Sequence, residues 1–160
     1  MSSNIKSNLG LTSLEKARLR KNGVKLKDLK NYSVNELCSI LNTSKIRANK
    51  IYALTEFQTV PSIGSKFAHD LLSLGYYSLD ELKEKNGPDL INDLEVLTGT
   101  WIDPCVEDQC RLVVHFASNR NIRKNWWDFT EERKKFRAEN GYPKSRPQKA
   151  WFELDKYQMK

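Results

Sequence analysis

A chain of 160 residues with 39% hydrophobic and 29% charged residues can bury one modest core, or two small helical units, but not a two-domain enzyme. No apolar run approaches the length of a membrane span, and the N-terminus lacks the apolar stretch of a secretory signal, so a cytoplasmic protein without a membrane partner is expected. The net charge of +7 favours solubility and polyanions, and Cys38, Cys105 and Cys110 are odd in number without C-x-x-C spacing, which supports neither a disulfide framework nor a zinc site.

In chain order, apolar residues recur at helical spacing, as in Leu37, Ile40, Leu41 and again in Phe67, Leu71, Leu72, while strand signals are weak. Breaks fall at Asn22-Gly23, Pro61 to Gly64, Gly75, Asn86-Gly87-Pro88, Gly99 and Gly141 to Pro143. An all-α fold is predicted. Asp103-Pro104 predicts a helix from 104 to about 117, because the Asp accepts from free N–H groups of the first turn and Pro at the first position gives up no bond. A charged helix is expected over 131–137, ended by Asn140-Gly141. Residues 144–149 read as an exposed basic linker, and Trp151, Phe152, Leu154 and Tyr157 as a short amphipathic segment that docks back or meets a partner.

An internal repeat of about fifty-three residues organises the chain. Gly23-Val24-Lys25-Leu26-Lys27-Asp28-Leu29 matches the run from Gly75 to Leu82, Leu37 and Leu41 fall opposite Leu90 and Leu94, and Ser44-Lys45-Ile46-Arg47-Ala48 compares with Gly64-Ser65-Lys66-Phe67-Ala68. Neither half can bury its apolar face alone, so one shared core is expected. The predicted organisation is an N-terminal flexible segment (1–13), a first unit (14–57), a second unit (58–128) and a basic C-terminal extension (129–160), with a monomer favoured.

Val60-Pro61-Ser62-Ile63-Gly64-Ser65-Lys66-Phe67-Ala68, followed by Leu71-Leu72 and Gly75, resembles the helix-hairpin-helix signature of many DNA repair and recombination proteins, in which a P-G-hydrophobic-G turn joins two helices. Ser62 stands where that pattern has its first glycine. A longer stretch, about 57 to 128, is similar to the bacterial pathogenicity locus family, whose members follow such a turn with Gly-Thr-x-x-Asp-x-Cys and a paired tryptophan. Here these are Gly99-Thr100-Trp101-Ile102-Asp103-Pro104-Cys105 and Trp126-Trp127. The resemblance implies tandem helix-hairpin-helix units.

A glycine at position 64 can adopt positive φ and bring N–H groups to a helix start without a side chain in the way. Ser62, Ile63, Gly64 and Ser65 would then hold a phosphate with help from the helix dipole, and Lys66 could reach the same oxygens. Such contacts ignore base identity and weaken with salt; alternatively, the turn only packs two helices together. The first turn lacks glycine, but Asn42 tolerates the left-handed region, Thr43 or Ser44 can cap the next helix, and Lys45, Arg47 and Lys50 are either phosphate-seeking or solvated surface charges.

Charge is asymmetric along the chain. Residues 1–58 hold 11 basic and 4 acidic side chains, 59–117 hold 4 and 10, and 118–160 hold 12 and 6. Two positive surfaces around a neutral or negative hub would suit an anionic partner, and solvated charged faces are the other reading; DNA is the expected partner, with a protein partner that reads the scaffold as the alternative. Trp126-Trp127 reads first as a core pair, with base stacking as the other reading. Catalysis is not expected. Ile102-Asp103 resembles the catalytic segment of helix-hairpin-helix glycosylases only superficially, capping explains Asp103, and His69 and His115 lack a nucleophile or metal-ligand partner. No cofactor is implied.

Overall fold

The computed structural model describes residues 9–154; Tyr157 lies outside them. Regular structure among these residues is helical: α1 (Ser13–Lys21), α2 (Val34–Leu41), α3 (Lys45–Phe57), α4 (Ser65–Ser73), α5 (Gly87–Thr98), α6 (Pro104–Ser118) and α7 (Thr130–Asn140), with 3-10 turns at Leu26–Asn31, Asp80–Leu82, Trp126–Phe129 and Trp151–Glu153. A single parallel bridge pairs Trp101 with Ala150 among the described residues. None of these helices is long and apolar enough to cross a membrane.

Side-chain chemistry sets most helix starts. Thr12, Ser33, Ser44, Asn86 and Asp103 each accept a hydrogen bond from a backbone N–H in the first turn that no helical carbonyl can reach. The repeat is visible in the stops. After α1, Gly23 (φ +67) donates to Arg20 O and Val24 to Leu19 O; after α4, Gly75 (φ +92) donates to Leu72 O and Tyr76 to Leu71 O. Both are left-handed glycine caps followed by a 3-10 turn that buries a leucine, Leu29 in one case and Leu82 in the other. The helices that follow, α2 and α5, bury Leu37 and Leu41, and Leu90 and Leu94, and each ends on a left-handed residue, Asn42 and Gly99.

Two compact units divide the chain between Leu79 and Asp80, where one shared core was expected. In the first, α2 packs on α3, and α3 also packs on α4 and the Leu26–Asn31 turn, burying Leu29, Leu41, Ile51, Phe57 and Leu71. The part of the expected flexible N-terminus that is described is anchored here: Leu9 is buried, Gly10 O accepts from Arg47 Nη2 at 2.9 Å, and Thr12 caps α1. In the second unit α6 packs against α5, α7 and the Trp126–Phe129 turn, burying Leu90, Leu94, Leu112 and Phe116.

Glu15 on α1 is buried and takes two bonds from Arg47, Nη2 at 2.8 Å and Nε at 3.0 Å. The hydrogen-bonded guanidinium, reinforced by the Thr12 backbone N–H, outweighs burial and holds the Glu15 carboxyl at about 2. A carboxylate whose pKa is depressed by folding adds stability that is fully present above its unfolded pKa and is lost as pH falls through the folded one. The first unit is therefore expected to lose a few kcal/mol between about pH 4.5 and about pH 2, measured as the urea midpoint against pH. A Glu15→Gln variant that keeps the wild-type pH dependence would show that other groups carry it.

Candidate nucleic-acid interface

The connection from α3 to α4 is a tight turn built by Pro61 and Ser62. Ile63 N–H donates to Val60 O at 3.2 Å, closing a four-residue turn with proline second and a left-handed residue third, the arrangement that usually demands glycine at the third place. Ser62 occupies it with φ +62. Gly64 does not carry the positive φ expected of it: at φ −99 and ψ −175 it is extended and serves as the N-cap of α4, whose Ala68 N–H bonds to Gly64 O at 3.2 Å. Its value at that place is the absence of a side chain. A Cβ built on Gly64 meets nothing within 4 Å, so approach to the start of α4 is open, and no side-chain oxygen caps that helix. Ile63 is buried and pins the turn to the unit, whereas Ser62, Gly64 and Lys66 are exposed and Ser65 is half-buried. His69 Nδ1 lies 2.8 Å from Ser65 O, one helical turn along.

At the first turn, between α2 and α3, Asn42 takes φ +47, and Ser44 Oγ accepts from Arg47 N–H at 3.2 Å. Asn42 and Ser44 do what their residue types suggest. The arginines do not reach outward. Arg47 is held in its ion pair with Glu15, which raises its own pKa further, and Arg18 Nη1 donates to Leu41 O at 2.7 Å and Asn42 O at 3.3 Å, closing the end of α2. Arg47 is thus engaged within the fold, by Glu15 and by Gly10 O. Lys45 and Lys50 stay exposed on the same helix, as do Lys16, Arg20, Lys21, Lys25, Lys27 and Lys30 earlier in the unit.

The positive ends of the chain are not equivalent. Residues 9–79 hold 11 basic and 5 acidic side chains, and residues 80–154 hold 13 and 14. Within the second unit the acidic middle segment and the basic C-terminal one neutralise each other. Glu95, 1% exposed, takes Arg146 Nε at 3.1 Å and Nη2 at 3.2 Å, with Ile102 N–H at 2.7 Å. Glu107 takes Arg111 Nη2 at 3.0 Å and Arg137 Nε at 2.9 Å, and Asp108 takes Arg133 Nε at 2.6 Å and Thr130 Oγ1 at 2.9 Å. The predicted basic linker is thereby a docked strap: Arg146 also lies over the rings of Tyr142 (3.7 Å) and Trp101 (5.5 Å), Trp101 N–H bonds to Lys149 O, and Trp151 N–H bonds to Trp101 O, both at 2.9 Å. The Trp151–Glu153 turn docks back, as one of its two readings had it.

Asp103 Oδ1 accepts from Cys105 N–H at 2.9 Å and starts a helix over Pro104–Ser118. Burial, then Asp103 beside it, pushes the Cys105 thiol up from its ordinary value, which makes it a poorer nucleophile. Among the described residues no group of three or more His, Cys, Asp or Glu is placed to hold a metal. Trp126 is half-buried and Trp127 is 54% exposed, so the core place expected of the pair belongs to Phe129.

The model of the pathogenicity locus family matches residues 50–135, just over half of the chain, from the middle of α3 into α7. The chain is also 24% identical over 91 residues to a mitomycin resistance protein, McrB, from Streptomyces lavendulae, an alignment covering 57% of this chain and 86% of the relative. No solved structure matches it. With the matched span containing the Pro61–Gly64 turn, the Asp103 cap and the paired tryptophan, the chain belongs to the pathogenicity locus family.

Proposed function

We propose that the protein is a binding protein, not an enzyme, whose two repeats are tandem helix-hairpin-helix units and whose α3–α4 turn holds the phosphate backbone of DNA without regard to base sequence. The observation that carries the reading is the open start of α4: an N-cap glycine with free space around it, no side-chain cap, a turn pinned by buried Ile63, and exposed Lys66 in the first helical turn. Backbone N–H groups and the positive end of a helix suit an anion. The surplus of basic over acidic side chains in the first unit supplies the long-range attraction. Lys45 is the contact left to the first turn now that Arg47 is paired. A protein partner is the second reading, favoured by Val96 and Leu97, adjacent and more than half exposed on α5 in the unit without net positive charge.

Binding to a short fluorescent duplex is expected to fall steeply with salt and hardly at all with base sequence, and Lys66→Ala to shallow the slope of log affinity against log salt by about one unit. Gly64→Val tests the backbone contact directly, because an extended Gly64 accepts a side chain without strain while the added methyls obstruct the approach. Wild-type duplex affinity in a folded Lys66→Ala, Gly64→Val double variant, with loss in Lys45→Ala, would move the contact to the first turn. No duplex binding at about 50 mM salt would leave the protein-partner reading.

A further inference from the structure

The segment joining α6 to the Trp126–Phe129 turn has a feature that the phosphate contact at Gly64 does not use. Arg120 to Lys124 are exposed throughout. Elsewhere in the second unit the arginines Arg111, Arg133, Arg137 and Arg146 end on buried carboxylates. Here the cations sit on rings instead: the Arg120 and Arg123 guanidinium groups each lie 6.0 Å from the Phe116 centroid, and Lys124 Nζ lies 5.6 Å from that of Phe129. Arg120 also pairs with Asp80 at 3.1 Å. Arg123 and Lys124 have no carboxylate in ion-pair range among the described residues. A ring face steadies a cation without neutralising it, so its N–H donors remain for an incoming anion.

Beside them stands Trp127. Its indole is 54% exposed, and its contact with Trp126 is edge to face, with centroids 5.3 Å apart and planes at 83°. The turn beneath it is held by Asp128 N–H to Asn125 O at 3.1 Å and Asn125 N–H to Asp128 Oδ2 at 2.8 Å, and by buried Phe129. The nearest acid in sequence, Asp128, is thus engaged by the backbone. An open indole is worth little to duplex DNA, whose bases are already stacked, but it offers a face to a base that has no neighbour. Cations three and four residues before it suit the phosphates on either side.

We propose that residues 120–127 form a second contact, one that takes unpaired nucleotides: a base stacks on Trp127, and Arg123 and Lys124 hold the flanking phosphates. This contact stands on its own residues and does not require the Gly64 turn to bind duplex.

The test is titration of the full chain with an oligo(dT) of about 15 nucleotides and with a duplex of the same length, reading tryptophan fluorescence and affinity. Oligo(dT) is expected to quench a signal that Trp127→Leu removes, and that variant to bind it on the order of tenfold or more weakly with duplex affinity unchanged, whereas Trp127→Phe keeps most of it. Arg123→Ala with Lys124→Ala is expected to shallow the single-strand salt slope by about 1.4 units. A shallower salt slope for duplex alone in Lys66→Ala separates the two contacts. If oligo(dT) binds through Trp127 while no duplex binds, this assignment stands and the phosphate-turn reading falls. A Trp127→Leu protein, folded by circular dichroism, that binds oligo(dT) like wild type overturns the assignment. So does a wild-type protein that ignores oligo(dT) at about 50 mM salt, which would give the open ring to a protein surface.

Discussion

Replacing Glu107 by Ala is expected to destabilise the second unit by about 3–5 kcal/mol. The side chain answers two guanidinium groups at once, Arg111 from α6 and Arg137 from α7, and both are nearly as buried as it is, at 9% and 8% exposed. Removing it leaves Arg137 out of water with no carboxylate in ion-pair range among the described residues and Arg111 with only the exposed Glu132, 3.9 Å away, and the loss of one partner of a buried pair costs far more than the pair contributes net. Arg137 has further ties, with Nη1 on Gly141 O at 2.9 Å and its guanidinium 4.3 Å from the Tyr142 centroid, so it cannot swing to solvent without loosening the end of α7. The measure is urea denaturation followed by helical circular dichroism. Glu131→Ala, which breaks the exposed pair with Lys134 at 3.6 Å, is the comparison and should move stability by less than about 0.5 kcal/mol. A Glu107→Ala loss under about 1 kcal/mol would mean that both arginines re-hydrate freely, contrary to their burial.

Gly87→Ala should cost about 2–3 kcal/mol, although alanine ordinarily strengthens a helix over glycine. The residue opens α5, and a Cβ there would lie 3.0 Å from both Cα and N of Arg111 and would overlap its Cγ. Backbone is the obstacle, so no rotamer change relieves it; α5 and α6 would have to part at the level where Arg111 reaches Glu107. Gly64→Ala is the counter-case: its Cβ meets nothing within 4 Å, so only the ordinary preference for glycine over alanine at an N-cap is lost, at most about 1 kcal/mol. Equal effects of the two alanines in denaturant titrations would show that the helix pair yields more easily than its packing indicates.

What could be read before folding is local chemistry. Asp103 before Pro104, Ser44 after Asn42, and the glycines at 23 and 75 act within a turn of where they stand, and each does what its side chain, or lack of one, dictates. The repeat was legible for the same reason. Gly64 misled because two glycine-like jobs sit in one turn: the left-handed place fell to Ser62, leaving Gly64 the open N-cap. The charge blocks misled more. Acids over 59–117 and bases over 118–160 suggest separate charged surfaces around a hub, but Glu107 pairs with Arg137 30 residues on, Asp108 with Arg133 25 on, and Glu95 with Arg146 51 on. Opposite blocks of similar size along one chain were the available hint that they answer each other. Nothing in the sequence distinguishes Trp126 from Trp127, whose exposures differ only through the turn that carries them.

The strap that closes on Trp101 bears on how the protein is made. A chain leaving the ribosome has everything the first unit needs by Leu79, whose N–H bonds to Glu56 Oε2 at 3.2 Å, and units completed early fold early. The second cannot finish on that schedule. Glu95 emerges 51 residues ahead of the arginine that neutralises it, and the Trp101 backbone waits for Lys149 and Trp151. Synthesis therefore delivers a finished first unit ahead of an unfinished second one, and Arg146, Lys149 and Trp151 act as the clasp that ends that interval.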